Sequence, residues 1–592
     1  MEVLCSSRWC CPVCESPLQQ RRPRQRGAVQ CQLIAEPETL HAWHVSKICS
    51  TCPLVRKFWC GFQEILINGK WVKQVDNPHP LYFFVSKKLG VAGSWLRRWR
   101  YRMYLHRASF LHEGVLLRLL DPTVQAQVRL QLARAWGREI LWRRSADAEP
   151  VVRERLASQL LALPLEKLLE VNWSWYEPMM FQRRWTQLLT SGDRLDICAI
   201  DGNAQLHRRT CGQPHAEVVY YPAIEKFLLR ACSRSPHGRE TLCPFHASQR
   251  DSLLQANPGE GEVASHRLKR ALYAESDVCY LEVKMDGFAG WQPAETVNQT
   301  VLNRYFAKLA DGTIRRRRQR REEVRSQKWR GFRPRSRKYL APWSSEQARA
   351  ESSCQTHKEG EQHVAAASKS AGFLLAVSSG GMIVDIQELV CAESLSQRYC
   401  FLSTLATRWP QLAIICHDDA CHLKLFALQH RRSTAVAERL AAMDYIVDRF
   451  HAPGHCGEYC AQHCLPTIED NKRLLGTFPT EIAEIVNSEM TPLGHTIHHM
   501  GKFFAQLVVS ECTDVHNLSR LLALRDKQRA DAKKRGRGTI QPSLRPFVFE
   551  LLMNSSMHTV SGKQYRQPYE RKGNIRIPAR VLCACRRFPS KF

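Results

Sequence analysis

No stretch of the 592-residue sequence stays apolar for the roughly 18 positions that a bilayer-spanning helix needs, so an integral membrane protein is not expected. The opening MEVLCSSRWCCPVC lacks a basic patch leading into an apolar run, so no secretory leader is expected and a reducing compartment is the natural setting. Tandem repeats are lacking too, which sets aside repeat architectures. Acidic residues are in deficit: 56 Asp and Glu stand against 86 Lys and Arg, a formal net charge of +30. That excess goes beyond what solubility requires and points to a polyanionic partner, nucleic acid before an acidic membrane surface.

Cysteine, by contrast, is plentiful. There are 24, and where disulfides are disfavoured their arrangement in Cys-x2-Cys pairs and Cys/His groups points to zinc. The chain is several times the usual domain length, so about three to five folding units are expected. Residues 1–90, with short strand-like segments such as FWCGFQEILING between Gly, Pro and Asn, read as a β-rich zinc module. From 91 to 190 apolar residues recur at three and four positions, as in Leu160, Leu161, Leu165, Leu168 and Leu169, which predicts a helical block. Its first helix carries WLRRWRYRMYLHR, in which Arg97, Arg98, Arg100 and Arg102 alternate with aromatics. Such a face suits phosphate contact, and equally a solvated basic surface.

Residues 191–520 read as an α/β core holding a large insert at 211–370. RLDICAID (194–201) and LAIICHDD (412–419) are apolar strands that end on acids; FLLAV and MIVDIQELV form a hairpin across SSGG; SLSQRYCFLSTLATRW and TEIAEIVNSEM are helices. The insert contains a Cys/His group, a segment at 265–310 that resembles a chromodomain-like strand pair and closing helix, and a basic linker at 313–340. A methyl-lysine cage needs aromatic faces, and Met285 stands where readers carry a cage tryptophan, so binding of that kind is not expected. Arg315, Arg316, Arg317, Arg318, Arg320 and Arg321 make the linker a candidate DNA clamp or nuclear-import signal. Residues 521–592 form a basic tail.

Three zinc sites are expected. His451, His455, Cys460 and Cys464 stand as His-x3-His-x4-Cys-x3-Cys, dense enough to close a tetrahedron, with Cys456 and His463 as spares. Cys11 and Cys14 pair with Cys49 and Cys52 in the manner of a zinc ribbon, with His41, His44 or Cys31 as alternatives. Cys211, Cys232, Cys243 and His246 form a third, less regular set. Separately, Asp201, Asp418 and Glu489 are acids that a sheet edge and a helix could gather around divalent ions.

The ordered combination DGN, HDDAC, FH-x3-H-x4-C-x3-C and NSE resembles the Kyakuja-Dileera-Zisupton transposases, and the cysteine-rich start looks like the cysteine-cluster domains that accompany them. The resemblance implies a ribonuclease-H-like core preceded by the helical block and the zinc module. It implies a DNA transposase, or a domesticated or decayed descendant, that uses Mg or Mn for strand cleavage and joining in the nucleus. Position by position it makes Asp201 the first acid, Asp418 the second (Asp419 the fallback) and Glu489 the third. Relatives carry another acid three positions after the third, where this sequence has Pro492, and a proline there should break the helix that aims the ligand. A non-enzymatic zinc-containing DNA- or chromatin-binding protein is therefore the alternative, and a nuclease without transfer activity a third reading. The partners expected are DNA, then chromatin and a second copy of the chain as a homo-oligomer, with no membrane.

Overall fold

The computed structural model describes residues 2–248, 281–283, 354 and 369–534, apart from short stretches at 24–26, 36–38, 53–55, 77–81, 121–126, 213–216, 222, 224–225, 231, 237–239, 391–392 and 394. The chain divides into two units, Met1–Gly538 and Thr539–Phe592. The second, like the chromodomain-like segment apart from 281–283, the basic linker and most of the tail, lies outside the described residues.

Ten short strands open the chain: β1 (Glu2–Cys5), β2 (Gln19–Gln20), β3 (Ala28–Ile34), β4 (Thr39–Val45), β5 (Lys47–Cys49), β6 (Arg56–Trp59), β7 (Phe62–Ile67), β8 (Lys70–Val75), β9 (Tyr82–Ser86) and β10 (Leu89–Ala92). They form two five-stranded sheets, β1-β4-β3-β10-β9 and β2-β5-β6-β7-β8. Asn68 and Gly69 turn the β7–β8 hairpin with φ of 49° and 73°, the left-handed pair that a two-residue turn requires and that Asn-Gly adopts at little cost. Trp59, Phe62, Phe84 and Leu33 bury a small core between the sheets.

Five helices follow: α1 (Gly93–His106), α2 (Phe110–Leu120), α3 (Val128–Arg144), α4 (Pro150–Gln159) and α5 (Leu165–Ser191). The buried positions of α1, Trp95, Leu96, Trp99, Arg100 and Met103, recur with the helical period and define one inward face.

The central sheet is built from β11 (Ile197–Asn203), then, after a small sheet of β12 (Glu217–Tyr221), β13 (Lys226–Arg230) and β14 (Leu281–Val283), from β15 (Gly372–Val377), β16 (Ile383–Leu389), β17 (Ile414–Cys416) and β18 (Asp444–Ile446). Its order is β16-β15-β11-β17-β18. β15 runs antiparallel to both neighbours, and β11, β17 and β18 run parallel. Side chains alternate across a strand, and both faces are covered. Ile197, Ala199, Phe373 and Leu375 enter one core, while Cys198, Ile200, Leu374 and Ala376 enter another.

The second core is closed by α6 (Leu395–Arg408), α7 (Ala420–His430) and α8 (Ala435–Ala442). Then come α9 (Glu469–Leu475), α10 (Ile482–Met490) and the long α11 (Lys502–Lys534). The last two pack on the first face together with the helical block.

A buried ionic network fastens α1, α3 and α5 to α11. The Glu511 carboxylate, fully enclosed, accepts from Arg144 at 2.9 Å, Arg100 at 3.2 Å and the Tyr176 hydroxyl at 3.1 Å. Asp514, one turn on, accepts from Arg144 at 2.9 Å and lies 3.3 Å from Arg183. Arg100 is thus a core residue. Its predicted place on an exposed DNA-binding face is corrected by an acid 411 positions away in sequence. Arg102 lies against Glu113 at 3.2 Å, while Arg97 and Arg98 remain at the surface.

Candidate active site and metal centres

Two parallel neighbours, β11 and β17, deliver the first two acids. Ala199 is paired with Cys416, so Asp201, still within β11 opposite Leu375 of β15, and Asp418, just past the end of β17, each stand two residues beyond that pair, at the same edge. Their carboxylates and the His417 ring fall within 4.8 Å of one another. Asn487, from α10, donates to Asp201 at 2.6 Å, and the Gly202 amide donates to it at 2.8 Å. The Asn487 side-chain oxygen, buried beside this group, has no hydrogen-bond partner.

Acidic side chains crowd one another here. Withdrawal from solvent raises the Asp201 carboxyl well above the ordinary range, and the charges of Glu484, Asp418 and Glu393 push it the same way. Asp418, despite burial, is held well below that range by His417 and Arg398. The Arg398 guanidinium, which can only donate, meets Nε2 of His417 at 2.6 Å, so that nitrogen accepts and the proton sits on Nδ1, 3.0 Å from the Ile200 carbonyl and 2.8 Å from Asp418. Asp419, the fallback, lies instead 3.3 Å from Arg398 and groups with Cys421 and His422.

The third acid differs from expectation. Glu489 lies on α10 but is turned onto α11, 2.7 Å from Arg520 and 3.2 Å from His516. The acid of that helix facing the cluster is Glu484, three residues before Asn487 and so on the same helical face. Burial raises its carboxyl, as do Asp448, Asp418 and Glu393, with His451 opposing. Pro492 does end the helix, but at Met490, after which Thr491–Leu493 form a single 3-10 turn. Both Glu484 and Asn487 precede the break.

The predicted zinc set around His451 is also corrected. His451 belongs to the acidic site, with Nδ1 2.7 Å from Asp448 and Nε2 3.8 Å from Glu484. Cys464 is buried in the core beside α7. The group that could hold a metal is Cys354, Cys421, His455 and Cys460, all buried. Nδ1 of His455 lies 3.5, 3.5 and 3.6 Å from the sulfurs of Cys354, Cys421 and Cys460, and those of Cys354 and Cys421 are 3.8 Å apart. Tetrahedral Zn–S bonds of about 2.3 Å set ligand atoms roughly 3.5–3.8 Å apart. Cys421 was visible only as the closing letter of HDDAC, and Cys354 carried no local signal.

The other two groups converge with the residues expected. Cys11 and Cys52 approach to 3.3 Å and Cys14 and Cys49 to 3.5 Å. Nδ1 of His246 lies 3.4 Å from both Cys211 and Cys243, and Cys232 is 4.0 Å from Cys243. His44, an alternative ligand for the first, is a core histidine. Its Nδ1 donates to the Lys87 carbonyl at 3.1 Å, its Nε2 accepts from the Cys60 amide at 3.0 Å, and burial lowers its pKa to about 4. These groups of thiols and imidazoles could hold zinc. No helix among the described residues is long and apolar enough to cross a membrane.

Residues 306–517 match the family model of the Kyakuja-Dileera-Zisupton transposase. No curated protein and no solved structure matches the chain.

Proposed function

Taking as premise that residues 306–517 belong to the Kyakuja-Dileera-Zisupton transposase family, we propose that the protein is a DNA transposase whose core is ribonuclease-H-like and whose acids hold Mg or Mn. The observation that carries this reading is the meeting of Asp201 and Asp418 at the ends of adjacent parallel strands. The strand order supports it: numbered by sequence within the sheet it runs 3-2-1-4-5, with only the second strand reversed. Asp201, Asp418 and Glu484 would hold the ions, with the free oxygen of Asn487 as a further donor, in place of the expected Asp201, Asp418 and Glu489. The donor set fits: hard oxygen ligands suit Mg and Mn, and the mutual repulsion of these acids is what a dication relieves.

When bound, such ions activate water or a 3′-hydroxyl and stabilise the leaving oxygen of a phosphodiester. The chain's own residues do the positioning. Asn487 and the Gly202 amide fix the two oxygens of Asp201. Arg398 fixes the His417 tautomer, and His417 in turn keeps Asp418 ionised. Asp448 orients His451 toward Glu484. DNA is the substrate the family implies, the nucleus the place of action, and the net charge of +30 favours such a polyanion. Zinc occupies the three Cys/His groups in this reading.

The test is cleavage and joining of DNA carrying the terminal repeats that flank the coding region, with the full chain and Mg. Wild-type activity that disappears in Asp201→Asn and Glu484→Gln supports the proposal. No activity from a folded, DNA-binding wild type would sink it and leave the non-enzymatic DNA- or chromatin-binding reading.

A further inference from the structure

The four members of the Cys354 group come from three separate parts of the chain, and two of those parts also carry acidic-site residues. Cys421 sits in the first turn of α7, three residues after Asp418. His455 and Cys460 belong to the 447–464 loop that follows β18, which holds Asp448 and His451 and is closed on itself by the Val447 amide donating to the Cys464 carbonyl at 2.8 Å. Cys354 comes from the insert between β11 and β15. Its backbone approaches so closely that a Cβ on Gly457 would stand 2.9 Å from both its Cβ and its amide nitrogen.

We propose that one zinc ion, held by Cys354, Cys421, His455 and Cys460, clamps the Asp418 loop and the His451 loop to the returning end of the insert. Its function is positional. It rests on the transposase reading only for what the clamped loops do, since the ligand set stands on its own geometry. Three buried sulfurs and an imidazole stand at tetrahedral spacing, and zinc prefers such soft ligands to the hard acids nearby. A structural zinc contributes folding energy directly. Here that energy is spent where two loops must hold carboxylates at fixed separation, so the acids are ordered by an ion they do not touch. Cys354 makes the insert a participant: its return to the sheet supplies the fourth ligand.

The experiment uses the full chain with Cys354→Ser, a ligand outside the central sheet, and Cys464→Ser, a buried neighbour outside the ligand set. Zinc per chain is measured by elemental analysis, loop order by hydrogen exchange at 417–420 and 448–452, and acidic-site occupancy by Mn²⁺ binding. Cys354→Ser should lose one equivalent of zinc, exchange faster at both loops, and bind Mn²⁺ about 10–100-fold more weakly, the usual cost of removing outer-shell support. Cys464→Ser should keep its zinc. Retention of all zinc by Cys354→Ser, or loss of one equivalent with unchanged exchange at both loops, overturns the clamp. If zinc and exchange respond as expected while the wild type binds no Mn²⁺, the clamp stands and the catalytic reading is what fails.

Discussion

Replacing Glu511 by Gln should separate the helical block from the core more effectively than any surface change. The carboxylate is fully enclosed and is the common acceptor of Arg100, Arg144 and Tyr176, with Arg143 3.9 Å away. Gln keeps the volume but removes the charge, leaving Arg100 and Arg144 buried at 4% and 2% exposure, with Asp514 still 2.9 Å from Arg144. Breaking a buried pair from one side costs about 3–5 kcal/mol, against about 0–1 kcal/mol for an exposed pair such as Lys167–Glu170. The assay is guanidinium unfolding followed by the fluorescence of Trp99 and Trp136, both fully buried in that block. The pH dependence has a definite sign. Although burial opposes it, Arg144, Arg100 and Arg143 hold the Glu511 pKa at about 2. Its contribution is therefore complete above the unfolded value of about 4.3 and is lost as pH falls toward 2. A Glu511→Gln penalty below about 1 kcal/mol at pH 7, the scale of a surface pair, would refute the argument.

Glu484→Gln should weaken Mn²⁺ binding by at least about tenfold, and Glu489→Gln should leave it within about twofold, because only Glu484 faces the cluster; isothermal titration distinguishes them, and the reverse ranking restores the original assignment. Because the Asp201 carboxyl is raised, divalent binding must expel its proton, so affinity should fall by up to about tenfold per pH unit below that raised value. The same sign makes the metal-free protein less stable as pH climbs from about 4 through it, a trend that added Mn²⁺ should remove; Mn²⁺ titrations and melting curves across pH 5–8 check both. Cys49→Ser should cost one zinc equivalent and unfold the β2-β5-β6-β7-β8 sheet while sparing Mn²⁺ binding, as read by elemental analysis and circular dichroism. Neutralising Arg315–Arg318 should lower DNA affinity and flatten its dependence on salt, measured by fluorescence anisotropy; an unchanged slope would make the linker a spacer or import signal only.

Local pattern carried much of this site. RLDICAID and LAIICHDD read as buried strands because apolar runs ending on acids have few other uses, and the sheet does set them side by side. Paired Cys-x2-Cys knuckles found each other because zinc spacing is written within a few residues. What the sequence did not disclose depends on rotation and on distance. Choosing between Glu484 and Glu489 requires knowing which face of α10 meets the sheet, and NSE drew attention to Glu489, which is turned onto α11. Cys354 lies 67 positions from Cys421, within a strongly polar stretch, so no spacing rule links them. Arg100 looked like part of a basic stripe because its acid is at the other end of the domain.

The ends of the insert have a consequence for how such a chain can change. Next to the sheet, the Ser370 amide donates to the Arg208 carbonyl at 2.9 Å, and Arg209 bridges to Lys369. Farther along, the Cys211–His246 group stands just after the exit and Cys354 just before the return. The described ends of the insert are therefore fastened twice, by main-chain bonds and by Cys/His groups that could hold metal, whatever the length of the stretch of chain between them. Doubling the length of a closed loop costs only about 0.6 kcal/mol. That stretch can serve as a cassette, open to gain, exchange or loss of whole modules over evolutionary time, while Asp201 and Asp418 stay in register.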